Sequence, residues 1–191
     1  MDDIQELACW VALNQVRGVG PARFRALLDY FGSAQSAWAA DEACLTEAGI
    51  DSRTLSQLRR ARSGADLISP LEKTLATGMC VLTWDDPHYP RYLKEIPDPP
   101  PVLYVRGTLT AADEWAVAVV GTRRPSSYGS LTARQLTQDL SRSGATIVSG
   151  LARGIDGIAH QAALEAGGRT VGVLGSGLNQ LYPPEHRRLA H

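Results

Sequence analysis

The chain has 191 residues, a formal net charge of −1, and 44% hydrophobic and 20% charged residues, a composition typical of a globular protein with one ordinary domain and a small one. No apolar run reaches the roughly 18 residues of a membrane span, and the acidic start MDDIQEL is unlike a secretory or transit peptide. Cys9, Cys44 and Cys80 are odd in number and widely spaced. They indicate a reducing compartment, which we take to be the cytoplasm, rather than a disulfide framework or a structural zinc site.

Residues 1–78 predict a small all-helical domain. Helical periodicity covers 3–15 and is followed by the segment RGVGPARFRALLDYFG. In that segment Pro21 is placed to begin a helix and Gly32 to end it. Further short helices are predicted over 34–40, 42–48, 52–62 and 65–77, and Asp51 or Ser52 is the expected cap of the third.

The stretch RGVGPARFRALL resembles a helix–hairpin–helix, in which turn amides and nearby arginines hold a DNA phosphate. Arg17, Arg23 and Arg25 cluster at this turn, so a weak contact with duplex DNA is one interpretation. A plain helical hairpin used for packing or for protein contact is an equally good one.

Residues 79–191 predict an α/β domain. MCVLTW and PVLYVRG read as strands on either side of a proline-rich segment, and WAVAVVG is a continuous apolar run, expected for a strand buried on both faces. A helix over 128–142, the strand ATIVSG, a helix over 155–166 and the strand RTVGVLGSG follow. This alternation predicts a Rossmann-like parallel sheet with helices on both faces. With only three core strands before His191, the domain is expected to be incomplete.

Each of the three core strands ends in glycine, in the segments VVGTRRPSSYG, VSGLARGID and VLGSGLNQLYPPEH. Ligands bind at the carboxyl ends of strands in open parallel sheets, and the amides of the following helix favour an anion. Arg123 and Arg124 follow the first strand directly, where a guanidinium could grip a phosphate. Residues 121–191 carry eight arginines against four carboxylates, a balance of +4, which also suits an anionic ligand.

The usual nucleotide-binding motifs are missing from the sequence. It contains no GK[ST], and the dinucleotide fingerprint fails after the first and third core strands. We therefore predict no cofactor. Asp156 and His160 have the spacing of a catalytic pair on one helix face, but the favoured interpretation is that Asp156 caps the helix and His160 supports a turn. We predict no catalytic residue and no metal ligand.

The segments VVGTRRPSSYG, SGLARGIDGIAHQAAL and GRTVGVLGSGLNQLYPPEHRRL resemble, in order and spacing, three signature blocks of the DprA (Smf) family. The helical N-terminal part fits the family's SAM-like domain. The resemblance implies an extended Rossmann fold that binds single-stranded DNA rather than a nucleotide cofactor. It also implies a homodimer that protects incoming strands in natural transformation and helps to load the RecA recombinase.

The resemblance also assigns residues. Arg123 matches the arginine of the family's G-[ST]-R block, which contacts DNA phosphate. Pro184 stands where relatives often carry a DNA-binding lysine, so that Arg187 or Arg188 is the expected substitute, and Asn179 replaces a family aspartate. The family's parts for RecA contact and dimerisation are expected outside this chain. The predicted DNA-binding residues are Gly121, Arg123, Arg124, Ser149, Gly150, Gly154, Gly175, Gly177, Tyr182 and Arg187.

Two further interpretations compete with DNA binding. The LOG-family phosphoribohydrolases have a related fold and bind nucleotide monophosphates, but their PGGxGTxxE motif is not in this sequence. A protein-interaction adaptor that acts through its helical domain is the other. Tyr128 and Tyr182 lie near the glycine ends, where they could stack on bases without regard to sequence, or serve only in packing.

Overall fold

The computed structural model describes residues 2–190, which form two compact units that divide between Thr108 and Leu109. The predicted domains, 1–78 and 79–191, divide earlier, and their end residues Met1 and His191 lie outside the described residues. The difference arises because the β-hairpin after residue 78 packs on the helices of the first unit. Among residues 2–190 no helix is both long and apolar enough to cross a membrane.

The first unit begins with six helices, close to those predicted. They are α1 (Asp2–Gln15), α2 (Pro21–Phe31), α3 (Ala34–Ala39), α4 (Glu42–Glu47), α5 (Ser52–Arg62) and α6 (Ile68–Leu75). Pro21 begins α2 and Gly32, with a φ of 77°, ends it, as predicted. The side chains of Ser33, Asp41 and Asp51 cap the three helices that follow, since each accepts a backbone N–H from the first turn.

A hairpin completes the first unit. Its strands β1 (Met79–Thr83) and β2 (Val102–Arg106) are antiparallel, and the short helix α7 (Arg91–Lys94) lies between them in sequence. The core contains three aromatic rings, of Trp10, Phe24 and Trp84, whose centroids are 4.7–5.8 Å apart. Tilted and edge-on aromatic contacts of this kind stabilise a core beyond the area that they bury.

The second unit is a parallel α/β structure. It contains a short 3-10 helix (Ala111–Glu114), β3 (Ala116–Ala118), α8 (Ser127–Arg142), β4 (Thr146–Ser149), α9 (Ile155–Glu165), β5 (Thr170–Gly172) and a second 3-10 turn (Pro184–His186). The strand order is β3–β4–β5, and both pairs are parallel. The core of this unit includes Ile147, Ala159 and Ala163, which are fully buried. The Rossmann-like class predicted from the sequence is confirmed.

Both α-helices described in the second unit lie on the same face of the sheet, rather than on both faces as the sequence predicted. The two crossovers step in one direction, from β3 to β4 and from β4 to β5, and right-handed crossovers then place their helices on one side. Accordingly α8 and α9 contact each other, with an ion pair between Arg134 and Glu165. The prediction that the first core strand is buried on both faces is wrong for these residues. All three residues of β3 are exposed, because β3 is an edge strand of the described sheet.

Candidate nucleic-acid interface

The carboxyl ends of β3, β4 and β5 meet at one edge of the sheet, because the three strands are parallel. We call this the carboxyl edge. Three segments leave the strands there: the β3–α8 loop (residues 119–126), the β4–α9 loop (residues 150–154) and the post-β5 segment (residues 173–190). The structure therefore brings together the three glycine-ended segments that the sequence indicated.

Asp156 joins two of these strand ends. Its side chain is only 7% exposed, and its carboxylate accepts the backbone N–H of Gly150 at 3.1 Å and, through a longer bond of 3.4 Å, that of Gly121. Asp156 does not cap α9, whose N-cap is Gly154, so the predicted capping role is wrong. The amides of Gly121 and Gly150 are already occupied by this carboxylate, so these two glycines shape the loops rather than offer N–H groups to a phosphate.

The β3–α8 and β4–α9 loops also pack tightly against each other. The N–H of Ile155 donates to the carbonyl of Thr122 at 3.1 Å. A Cβ on Gly154, where φ is 80°, would overlap the Thr122 carbonyl oxygen and lie 2.7 Å from the Cα of Arg123. A Cβ on Gly121 would lie 2.7 Å from the Ile155 side chain. Glycine at these two positions permits the close approach of the backbones.

The post-β5 segment packs on the same region. The ring of His186 donates from Nδ1 to the carbonyl of Leu151 at 2.9 Å and lies against Gly157. Leu151 is buried and has a φ of 57°, an uncommon conformation for a residue with a side chain. The bond from His186 to its carbonyl and the burial of Leu151 stabilise this form of the β4–α9 loop.

Positive charge projects from the carboxyl edge. The predicted contacts Arg123, Arg124 and Arg187, together with Arg188, are exposed, and none of them pairs with a carboxylate among the residues that the structure describes. A guanidinium in this state can donate a bidentate, charge-assisted pair of hydrogen bonds to a phosphate. The four arginines are therefore the groups best suited to hold a polyanion.

Arg153, which the sequence did not single out, is already partnered. Its Nε lies 2.5 Å from Oε1 of Glu185, and its guanidinium lies 5.8 Å from the centre of the Tyr182 ring. The ion pair lowers the pKa of Glu185, so the carboxylate stays charged. Tyr182 is itself 55% exposed, which leaves part of its ring free for stacking.

The remaining predicted contacts differ in what they can offer. Ser149 is 2% exposed, and its hydroxyl donates to the carbonyl of Val119 at 2.6 Å, so we remove it from the interface. Ser149 is the last residue of β4, the central strand of the described sheet. Periodicity in so short a strand does not reveal which of its residues will be buried. Gly175 and Gly177 are exposed after β5. Gly175 has open space around its Cα, so that a ligand could approach its backbone.

His160 is a structural residue. It is 2% exposed, and its Nδ1 lies 2.7 Å from the hydroxyl of Thr170. That hydroxyl donates to the carbonyl of Ile147 at 2.8 Å, so it accepts the proton of His160, which fixes the tautomer on Nδ1. Burial lowers the pKa of His160 and keeps the ring neutral.

In the helical unit the arginines of the predicted helix–hairpin–helix are largely engaged. Arg23 donates to the carbonyl of Gly18 at 2.8 Å and pairs with Asp51 at 2.5 Å. The guanidinium of Arg25 lies 5.1 Å from the centre of the Trp84 ring. Of the three arginines at the turn, Arg17 is exposed without such a contact among the described residues.

Comparison with known proteins decides the family. Residues 80–191 match the family described as DNA recombination-mediator protein A. The chain belongs to this family. That match includes the whole carboxyl edge, so the arginines and glycines described above lie within the part of the chain that the recombination-mediator family shares.

Individual relatives agree with this assignment. The chain is 42% identical to protein Smf of Synechocystis sp. over 189 residues, and this aligned region covers 96% of this chain and 48% of the relative. It is 37% identical over 162 residues to the DNA processing protein DprA of Bacillus subtilis, covering 80% and 54%. The X-ray structure of DNA processing protein A (DprA) from Streptococcus pneumoniae superposes with a TM-score of 0.75 at 27% identity, over 95% of this chain and 62% of that one. The chain thus spans about half the length of the curated relatives that it matches.

Proposed function

We propose that this chain binds single-stranded DNA at the carboxyl edge of its parallel sheet and catalyses no reaction. Arg123, Arg124 and Arg187 hold phosphates, and the exposed face of Tyr182 stacks on a base. The observation that carries the proposal is the set of exposed arginines without ion pairs, mounted on loops that are fixed to one another. Stacking on exposed tyrosines suits unpaired bases, which present their faces, better than a duplex.

Family membership suggests the cellular role of this DNA binding. Relatives are named DNA processing proteins, and the family is described as a recombination mediator. We propose that the protein acts in the cytoplasm during natural transformation, as a homodimer that protects incoming strands and helps to load RecA. The family membership and the free arginines of the carboxyl edge support this role.

The roles of Asp156 and His160 support binding without catalysis. The carboxylate of Asp156 is occupied by two backbone amides, and His160 is buried and bonded to Thr170. Neither group is presented to a substrate at the carboxyl edge. We do not propose that the helices of the first unit bind duplex DNA, because the guanidinium of Arg23 is already engaged with Gly18 and Asp51.

Fluorescence polarisation tests the proposal. The 191-residue chain is titrated into labelled oligo-dT and, separately, into labelled adenosine monophosphate. We expect saturable binding of the oligonucleotide and none of the mononucleotide, because several phosphates must bind together. Binding of the mononucleotide alone would favour a phosphoribohydrolase, and binding of neither would favour an adaptor; both results would refute the proposal.

A further inference from the structure

We propose that Asp156 and Gly154 are positioning residues, which hold the β3–α8 loop so that Arg123 faces the DNA phosphate. The inference rests on the proposed DNA binding, and it assigns to these two residues a role in affinity that neither performs by touching DNA. The loop that carries Arg123 is attached to the start of α9 in two ways.

The first attachment is electrostatic. The buried carboxylate of Asp156 accepts N–H groups from the ends of two different strands, at Gly121 and Gly150. Hydrogen bonds to a charged acceptor are stronger than those between neutral groups. Gly121 precedes Arg123 by two residues, so its bond of 3.4 Å, the longer of the two, ties the backbone just before Arg123 to α9.

The second attachment is steric. The Cα of Gly154 lies against the backbone of Thr122 and Arg123, where a Cβ has no room. The groups in the way are backbone atoms, which cannot rotate aside, so a side chain at position 154 must displace the Arg123 backbone itself. The N–H of Ile155, which donates to the Thr122 carbonyl, would move with it.

If these two attachments position Arg123, replacing Asp156 should change the affinity for DNA in the direction opposite to that expected from its charge alone. Asp156 is a negative charge close to a site for a polyanion, and its removal should strengthen DNA binding if only the electric field mattered. If Asp156 positions Arg123, its removal should weaken binding. In Asp156→Asn one amide oxygen remains as an acceptor, but the NH2 group cannot accept the second N–H.

The experiment measures oligo-dT affinity by fluorescence polarisation, with melting temperatures for every variant. Asp156→Asn should lose about tenfold in affinity, within the range of a lost charge-assisted contact. Asp139→Asn is the matched control, because it removes the same charge from an exposed residue of α8 that pairs with Arg142. It should leave the affinity near that of the wild type.

Gly154→Ala tests the steric attachment without a change of charge and should also lose affinity. Its control is Gly144→Ala, since Gly144 has a similar φ of 88° but nothing near its Cα. Both alanines carry the backbone strain of a positive φ, and only the one at position 154 reaches Arg123. If Asp156→Asn melts below the assay temperature, the comparison of these two alanine variants decides the question.

A double-mutant cycle with Arg123→Ala separates positioning from a general structural effect. If Asp156 acts through Arg123, Asp156→Asn should cause little further loss in the Arg123→Ala background. Additive losses, or Asp156→Asn and Gly154→Ala proteins that bind as tightly as the wild type, would overturn the inference while leaving DNA binding intact. A wild-type chain that does not bind oligo-dT would instead refute the proposed function.

Discussion

Arg153 and Glu185 form an ion pair that links the β4–α9 loop to the post-β5 segment, with 2.5 Å between Nε and Oε1. The pair places a carboxylate among arginines that we propose to bind phosphate. A phosphate that approaches this part of the edge must therefore compete with Glu185 for the guanidinium of Arg153.

We expect Glu185→Gln to bind oligo-dT more tightly than the wild type, by about twofold to fivefold, the scale of one exposed ion pair. The substitution frees Arg153 and removes a repelling charge. Glu165→Gln is the control, because Glu165 also pairs with an arginine, Arg134, but at the far end of α9. Polarisation titrations of both variants give the result, and equal gains would show that the effect is one of net charge alone.

Arg123→Ala should weaken single-strand binding far more than Arg142→Ala. Arg123 lies in the β3–α8 loop at the carboxyl edge, whereas Arg142 lies in the last turn of α8 and pairs with Asp139. A charge-assisted bond to phosphate contributes about 1.5–3 kcal/mol, or roughly tenfold to a hundredfold in affinity. Dissociation constants for one oligo-dT, with melting temperatures as a folding control, test this. Equal losses would mean that the carboxyl edge is not the site, and a larger loss for Arg124→Ala would assign the main contact to the neighbouring side chain.

Affinity for single strands should fall steeply as salt rises, because each phosphate contact releases bound counterions. With three arginines in contact, the slope of log K against log salt should be about −2 for a single strand, and Arg123→Ala should make it shallower by about 0.7. Titrations from dilute to physiological salt measure both slopes. A flat response in the wild type would contradict phosphate-led binding.

The protein should prefer single strands to duplex and show little base specificity. The proposed contacts are guanidinium groups for phosphates and a tyrosine ring for stacking, and neither reads base edges. Competition of unlabelled oligo-dT, mixed-sequence strands and a blunt hairpin against one labelled strand checks this. A blunt hairpin that competes as well as the single strands would count against the stacking role of Tyr182.

The protein should lose stability as the pH falls below about 6.5 because of His160. Burial lowers its pKa in the folded protein, while in the unfolded chain it protonates near its ordinary value of about 6.5. Unfolding therefore takes up a proton in this range, so His160's contribution to stability is complete above about pH 6.5 and decreases below it. Melting curves across this range give the slope.

His160→Asn keeps a donor for the Thr170 hydroxyl but does not titrate. We expect this variant to be less stable at neutral pH and to show a flatter dependence of melting temperature on pH. His88→Asn is the control for the loss of a histidine outside the core, because His88 is exposed and its ring contacts Asp86 rather than the interior. A variant with the wild-type slope would assign the pH dependence to other groups.

The sequence predicted the features that depend on local pattern. The alternation of strands and helices gave the parallel class, and the glycines at the strand ends located the carboxyl edge. What it could not predict depends on which loops become neighbours in space. The bond from Gly121 to Asp156 spans 35 positions in the chain, and no periodicity marks a carboxylate that will accept it. Likewise, the apolar run at β3 indicated a strand but not how much of it is covered.

The two compact units divide later in the chain than the change of composition, for a related reason. Composition changes at Gly78, where helices give way to strands, and this change predicted a new domain. The hairpin of β1 and β2 nevertheless packs on α1 and α6, and its neighbour Trp84 contacts Trp10 and Phe24. A change from helices to strands therefore does not mark a domain boundary when the strands complete the hydrophobic core of the helices.

The side chain of Arg23 has a consequence for how the first unit is assembled. It donates to Gly18 within the turn between α1 and α2, and also to Thr54, which lies 31 positions later, at the start of α5. A synthetic peptide of α1 and α2 would lack both Thr54 and Asp51, so we infer that its turn would sample many conformations in solution. In the folded chain the α1–α2 turn is held by α5 as well as from within, so grafting residues 2–31 onto another scaffold would leave out its contacts with Asp51 and Thr54.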